Sequence, residues 1–258
     1  MKTVLITGTT SGIGYALSKC FAEMHYNLVL VSRDPDKLAR QKKEFERYGV
    51  NIYTITKDLS HKGAALDVYN ETKSKNLVID ILVNNAGFNE SGLFAETSIK
   101  KELELLQVHV LALTEMTKYY LKDMIRQKDG QILNLGSTGS FAPFPLDAVY
   151  SASKAYVLSF SKAISSELKK TGVSVTTLCP GSTSSEFSVK AKIDNTLLFK
   201  AFVMTPDQVA KVAIRALKRR KRVAVVGIYN KMLVFSMKLL PYAIIARLSF
   251  LFLKRKND

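Results

Sequence analysis

Cysteine, histidine and acidic residues are scarce in this 258-residue chain, and each shortage closes off a class of chemistry. The two cysteines, Cys20 and Cys179, stand far apart in sequence. They suggest neither a disulfide framework nor a zinc site, and a reducing cytoplasm is the expected setting. The three histidines, His25, His61 and His109, show no metal-type spacing, so no metal is expected. A secretion signal is missing from the expectation too: Met1-Lys2-Thr3 leads straight into Val4-Leu5-Ile6, an apolar run too short for an h-region. Uncharged runs stay below the roughly 20 residues that cross a bilayer. Acid is outnumbered by base, 22 Asp and Glu against 38 Lys and Arg, for a formal charge of +16. Such a surface attracts polyanions in general, although a solvated lysine-rich exterior accounts for it equally well. Its densest run, at 218–222, has no interleaved aromatics and no groove-reading motif, so no nucleic-acid partner is expected.

What the chain does have is a globular balance, 47% hydrophobic and 23% charged, and length enough for one well-buried domain. Short apolar runs at 4–6, 27–31, 51–56, 79–83, 130–135, 173–178 and 223–226 read as strands. Between them, helical patterns cover 13–21, 36–48, 63–75, one or two helices in 100–127, then 148–170 and 206–218. The alternation predicts an α/β fold, one doubly wound domain whose parallel sheet has seven strands and helices on both faces. Ligands in such sheets sit at the carboxyl ends of the strands, near the point where strand order reverses.

Thr7-Gly8-Thr9-Thr10-Ser11-Gly12-Ile13-Gly14 joins the first strand to the first helix. Glycine there lets backbone approach a pyrophosphate, and the helix N-terminus offers free N–H groups. The spacing is T-G-x-x-x-G-I-G. With Asn84-Asn85-Ala86-Gly87, Tyr150-x-x-x-Lys154 and Pro180-Gly181 following in order, the chain resembles the short-chain dehydrogenase/reductase family from residue 2 to about 226. The resemblance implies a Rossmann domain at 1–229, with a substrate lid at about 182–205, and an NAD(P)-dependent oxidoreductase. It implies cofactor contacts at Gly8, Ser11, Gly12, Ile13 and Gly14, at Asp58 and Leu59, at Asn85, Ala86 and Gly87, and at Pro180, Gly181 and Thr183. Tyr150 and Lys154 would touch the cofactor as well.

The second strand ends in Ser32-Arg33, where an acidic side chain would select NAD. A guanidinium can clamp a 2′-phosphate, so the expected cofactor is NADP(H), with Arg33 carrying most of that preference. Tyr150 and Lys154 lie four apart on one helix face. Free tyrosine titrates near ~10; a neighbouring ammonium lowers that value and readies the pair for proton exchange near neutral pH. Ser137, thirteen residues before Tyr150, matches the family's substrate-oxygen contact. Two departures stand out. His109 occupies the place of a family asparagine that supports a water in the proton relay; imidazole can both donate and accept, and titrates near neutral pH. Ser185 stands where many members have threonine.

The segment 182–205 carries Phe187, Leu197, Leu198, Phe199, Phe202 and Met204, and Phe141, Pro143, Phe144 and Leu146 offer a second apolar wall. Both suit a bulky apolar ketone or alcohol, and the resemblance makes hydroxysteroids and lipid-like ketones, hence lipid metabolism, the natural class. Residues 230–258 form a basic, apolar extension, in which Pro241 should divide two amphipathic helices. That extension fits a membrane surface, a partner subunit or a cap on the substrate pocket. Family resemblance implies a homodimer or homotetramer. Two other readings compete: a 3-oxoacyl thioester reductase whose basic surface docks an acidic carrier protein, and a non-catalytic NADP-binding sensor or membrane scaffold. A scaffold has no need of Ser137, Tyr150 and Lys154.

Overall fold

A computed structural model describes residues 1–184 and 203–253. Its sheet has seven strands, all parallel, in the order β3-β2-β1-β4-β5-β6-β7. These are β1 (Thr3–Thr7), β2 (Asn27–Ser32), β3 (Ile52–Thr56), β4 (Ile81–Asn84), β5 (Gly130–Leu135), β6 (Val173–Cys179) and β7 (Val223–Val225).

The strands lack polar alternation because both faces are covered. Val4, Ile6, Leu28 and Leu30 point into one layer, against Leu17 and Phe21 of α1 (Gly12–Glu23), Leu38 and Phe45 of α2 (Pro35–Phe45) and Ala213 of α7 (Pro206–Lys218). Leu5, Val29 and Val31 point the other way, against Val68 of α3 (Ala64–Ser74) and Met116, Tyr120 and Met124 of α5 (Leu113–Gln127). Helix starts follow capping chemistry. Asp34 accepts from the Lys37 amide at 3.0 Å ahead of α2. Thr205 and Gln208 cap each other's amides ahead of α7.

The stretch read as one or two helices is one continuous path. α4 (Ile99–Leu106) widens into a π-helical turn, Gln107–Ala112, and continues as α5. Such widened turns gather at functional sites, and this one carries His109. The long helix α6 (Ala148–Glu167) stops short of the expected residue 170, where Lys170 and Gly172 turn at φ of 72° and 82°. The extension does form two helices, α8 (Ile228–Leu239) and α9 (Tyr242–Leu253), separated at Pro241. Val234 and Ile245 are buried. Among the described residues no helix is long and apolar enough to cross a membrane. Ser185, Phe187, Leu197, Leu198, Phe199 and Phe202, the centre of the expected lid, lie outside the described residues.

Candidate active site

Strand order reverses between β1 and β4, and two loops meet there. The Asn85 carboxamide donates to the Thr7 and Gly8 carbonyls at 2.9 and 3.0 Å. The Thr7 hydroxyl accepts the Asn85 and Ala86 amides, each at 3.0 Å. Close approach explains the glycines: a Cβ on Gly14 would stand 2.1 Å from the Gly8 carbonyl oxygen, and one on Gly8 2.8 Å from Ala86 Cα. Gly8 and Gly12 also need positive φ, 69° and 55°.

This crevice fits a dinucleotide. Ser11, the N-cap of α1, makes no side-chain capping bond, and no acidic residue sits in the first turn. The first-turn amides are thus left for an external acceptor such as pyrophosphate. At the end of β2, Ser32 pairs with Thr10 of the glycine loop, hydroxyl to hydroxyl at 3.1 Å. The Arg33 guanidinium projects outward, 68% exposed, with Asp58 at 3.9 Å. Burial pushes the Asp58 carboxyl up, but the Ser60 bonds and the Arg33 charge outweigh it and hold it below its ordinary value. Leu59 is buried behind it, and Ile13 packs on the core. Across the crevice the Pro180 carbonyl accepts the Thr138 amide at 2.9 Å, Thr183 donates to the Gly181 carbonyl, and Gly181 abuts Asn230 of α8.

Ser137, Tyr150 and Lys154 converge at the carboxyl edge. Ser137 hydrogen-bonds the Tyr150 phenol. Its hydroxyl also accepts the Gly139 amide at 3.1 Å, while Ser140 accepts the Ser137 amide. Lys154 is 6% exposed, donates to the Leu135 carbonyl at 2.9 Å and lies 5.7 Å from the Tyr150 ring centroid. The titration differs from the sequence expectation. Burial pushes the Tyr150 phenol up to about 12, against the Ser137 bond, and the nearby Asp147 charge adds to the rise. Burial also lowers Lys154 to about 8. Desolvation acts on both groups in the direction of their neutral forms, so proximity of the ammonium does not by itself produce a low-pKa tyrosine here.

His109 also departs from expectation. It is 1% exposed. Burial, helped by the Lys154 charge, holds its pKa well below the ordinary histidine value, so it does not titrate near neutrality. Nε2 accepts the Phe88 amide at 3.2 Å, which places the ring proton on Nδ1, 2.9 Å from the Ser153 hydroxyl. Ser153 in turn donates to the Tyr150 carbonyl at 2.7 Å. Both ring nitrogens are thus engaged in a fixed scaffold. Gly87 is small because a Cβ would lie 2.4 Å from His109 Nε2.

Several participants escaped sequence reasoning. Ser153 is one. Asn89, Ser91 and Asp147 form another group: the Asp147 carboxylate accepts from Ser91 and, at 3.0 Å, from Asn89, three residues before Tyr150. Asp147 is buried, and burial raises its pKa despite those bonds. Of the four residues expected to form a second apolar wall, Leu146 is not among those lining the hollow beside α6. Phe141, Pro143 and Phe144 line this hollow of about 390 Å³ with Ala148, Ser151, Ala152 and Ala155. Those four α6 residues follow a 3-1-3 spacing on one side of the helix, while Tyr150 and Lys154 occupy the other. No cluster of three His, Cys, Asp or Glu able to hold a metal occurs among the described residues.

Residues 2–196 match the short chain dehydrogenase family model. A ketoacyl reductase, HetN, of Nostoc sp. is 29% identical over 227 residues, covering 88% of this chain and 78% of that protein. Mouse 17-beta-hydroxysteroid dehydrogenase type 3 is 37% identical over 186 residues, covering 70% of this chain and 59% of its own length. Among solved structures, a short-chain dehydrogenase from Sphingobium yanoikuyae in complex with NADPH superposes with a TM-score of 0.83 at 29% identity, covering 93% of this chain and 95% of that one.

Proposed function

The chain belongs to the short-chain dehydrogenase family, and on that premise we propose that it is an NADP(H)-dependent oxidoreductase interconverting a secondary alcohol and a ketone on a bulky apolar substrate. The observation that carries the reading is the Ser137–Tyr150–Lys154 set beside an uncapped α1 at the strand-order reversal. When bound, the nicotinamide supplies or accepts the hydride at the substrate carbon. The chain supplies the proton. At neutral pH Tyr150 carries its proton, and its phenol donates it to the carbonyl oxygen during reduction. Ser137 holds that oxygen by a hydrogen bond, and Lys154 compensates the phenolate left behind.

Arg33 and Ser32 support the choice of NADP(H): one exposed guanidinium and two hydroxyls, Ser32 and Thr10, surround the end of β2. The apolar substrate is supported by the apolar sequence of the 182–205 segment and by the hydroxysteroid dehydrogenase relative. The ketoacyl reductase relative favours 3-oxoacyl thioesters as the second reading. A subunit contact is proposed on the outer side of α6. There the hollow of about 390 Å³ opens along Ala148, Ser151, Ala152 and Ala155, and Tyr156 of the same helix is exposed.

The test is NADPH oxidation, with NADH in parallel, against ketosteroids, 3-oxoacyl thioesters and small ketones. A strong response with one class and NADPH names the substrate. Tyr150→Phe should bind NADPH normally and lose about 10²–10⁴-fold in kcat. A near-normal rate in that variant overturns the acid/base role.

A further inference from the structure

Helix α8 wears its apolar stripe on the outside. Ile228, Met232, Phe235 and Leu239 follow a 4-3-4 spacing, and each is more than 60% exposed, at 66%, 63%, 64% and 69%. The opposite side, at Val234, is the one packed on the domain. Exposed patches of this kind mark surfaces that meet something apolar. Lys231 and Lys238 flank the stripe on one side and are exposed, as is Arg247 in α9. The charge is one-signed well beyond these. Between positions 208 and 257 there are thirteen Lys and Arg and no Asp or Glu. The run at 218–222 precedes β7 and the stripe follows it, so the run adds to the field of the region rather than to the stripe itself.

From this juxtaposition we propose that α8 docks the protein on an anionic lipid surface, with the stripe entering the headgroup boundary and the lysines meeting lipid phosphates and carboxylates. An apolar row edged by cations is the chemistry of an interfacial helix. A second copy of the chain is the weaker fit, because an isologous contact would set Lys231 and Lys238 against their own copies, and the sequence from 208 to 257 holds no Asp or Glu to answer them. The place on the fold matters. Asn230 abuts Gly181 at the carboxyl edge of β6, and Lys238 Nζ lies 5.9 Å from the Phe141 ring. Through Asn230, α8 therefore borders the carboxyl edge of β6, on the side of the sheet where the crevice opens. On the proposed reading of an apolar substrate, the lipid phase is then the source from which that substrate reaches the crevice.

The experiment is co-sedimentation of the full chain with vesicles of phosphatidylcholine alone and of phosphatidylcholine with roughly one-third phosphatidylserine. It is read as bound fraction, without turnover, so it is independent of the substrate assignment. The wild type should pellet with the anionic vesicles, remain in solution with the neutral ones, and be released progressively by salt. Met232→Asp with Phe235→Asp should stay in solution while keeping the wild-type unfolding temperature and NADPH affinity. Lys231→Glu should bind several-fold more weakly, since each cation at an anionic surface is worth roughly fivefold. The proposal is overturned if the wild type stays in solution with anionic vesicles, or if the double variant pellets as the wild type does. It is equally overturned if the double substitution changes the oligomeric state in solution, which would make the stripe a subunit contact.

Discussion

The rings of His109 and Tyr150 meet edge to face, with centroids 5.8 Å apart and planes inclined by 70°. A second link joins them through Ser153, which accepts a hydrogen bond from His109 Nδ1–H and donates one to the Tyr150 carbonyl. The π-helical turn is therefore braced directly against α6, the helix that carries Tyr150. On the other side, His109 takes the Phe88 amide and so fixes the loop after β4. One neutral imidazole holds the loop after β4 and the start of α6 in register.

A positioning role of this kind has a signature distinct from a relay. His109 should show no titration by NMR from about pH 6 to about pH 8, and the pH–rate profile should carry no limb belonging to it. His109→Phe strands the Phe88 amide without an acceptor and should cost about 1–3 kcal/mol of stability, with a fall in kcat. His109→Gln can accept from Phe88 and donate to Ser153, so it should recover most of both. An imidazole that titrates near neutrality, or a Gln variant as impaired as Phe, contradicts the role.

Lys154 offers a prediction in stability. Its folded-state value of about 8 lies below the ordinary 10.5, so the unfolded chain binds the proton more tightly. Below about pH 8 the ammonium is buried at a cost, and above 10.5 the group is neutral in both states. Wild-type stability relative to Lys154→Met should therefore rise between these limits, by on the order of 3 kcal/mol. Urea unfolding of both proteins at pH 7 and near pH 10.5 measures it. A constant difference would show that Lys154 is not held at a depressed value. Activity of the Met variant should be lost throughout.

Much of this molecule was readable because its signals are local. Gly8, Gly12 and Gly14 fall in one loop and Tyr150 and Lys154 on one helix turn, and strand–helix alternation set the sheet. What stayed hidden depends on contacts between distant segments. Nothing near Ser153 indicates that His109, 44 residues earlier, will donate a hydrogen bond to it. The Asn89–Ser91–Asp147 group spans 58 residues. Phe141 and Phe144 were legible as apolar, but apolarity does not say which side of α6 they will cover. The tyrosine's pKa direction was misjudged for a related reason: spacing reveals a neighbouring charge, whereas desolvation depends on everything packed around it.

Arg33 tests the cofactor preference without touching the chemistry. Its guanidinium is exposed, and its ion pair with Asp58 at 3.9 Å is loose, so the side chain can turn to a phosphate at little expense. Arg33→Ala should raise the Kd for NADPH by about 10- to 100-fold, the loss of a charge-assisted hydrogen bond, and leave NADH nearly unaffected. Unchanged NADPH affinity would place the phosphate elsewhere.

Asp147 sets the remaining lever on Tyr150. A carboxylate three residues away opposes the phenolate, and it is among the causes that raise the tyrosine. Asp147→Asn keeps the shape and can still accept from Ser91, so the local hydrogen bonds survive while the charge goes. The phenolate becomes easier to form. On the proposed role of Tyr150, alcohol oxidation uses that phenolate as base, so its pH–rate profile should move to lower pH in the variant. Ketone reduction, which needs the protonated phenol, should lose rate at lower pH than in the wild type for the same reason. Asp147→Leu removes charge and acceptor together, and should add a loss of stability that the Asn variant escapes. Profiles for both directions, taken on the same preparations, separate the two effects. A profile unmoved by Asp147→Asn would mean that Asp147 is already protonated in the working pH range, as its own raised pKa would allow. Asp147 would then act on Tyr150 through hydrogen bonding at the start of α6, with no charge to remove.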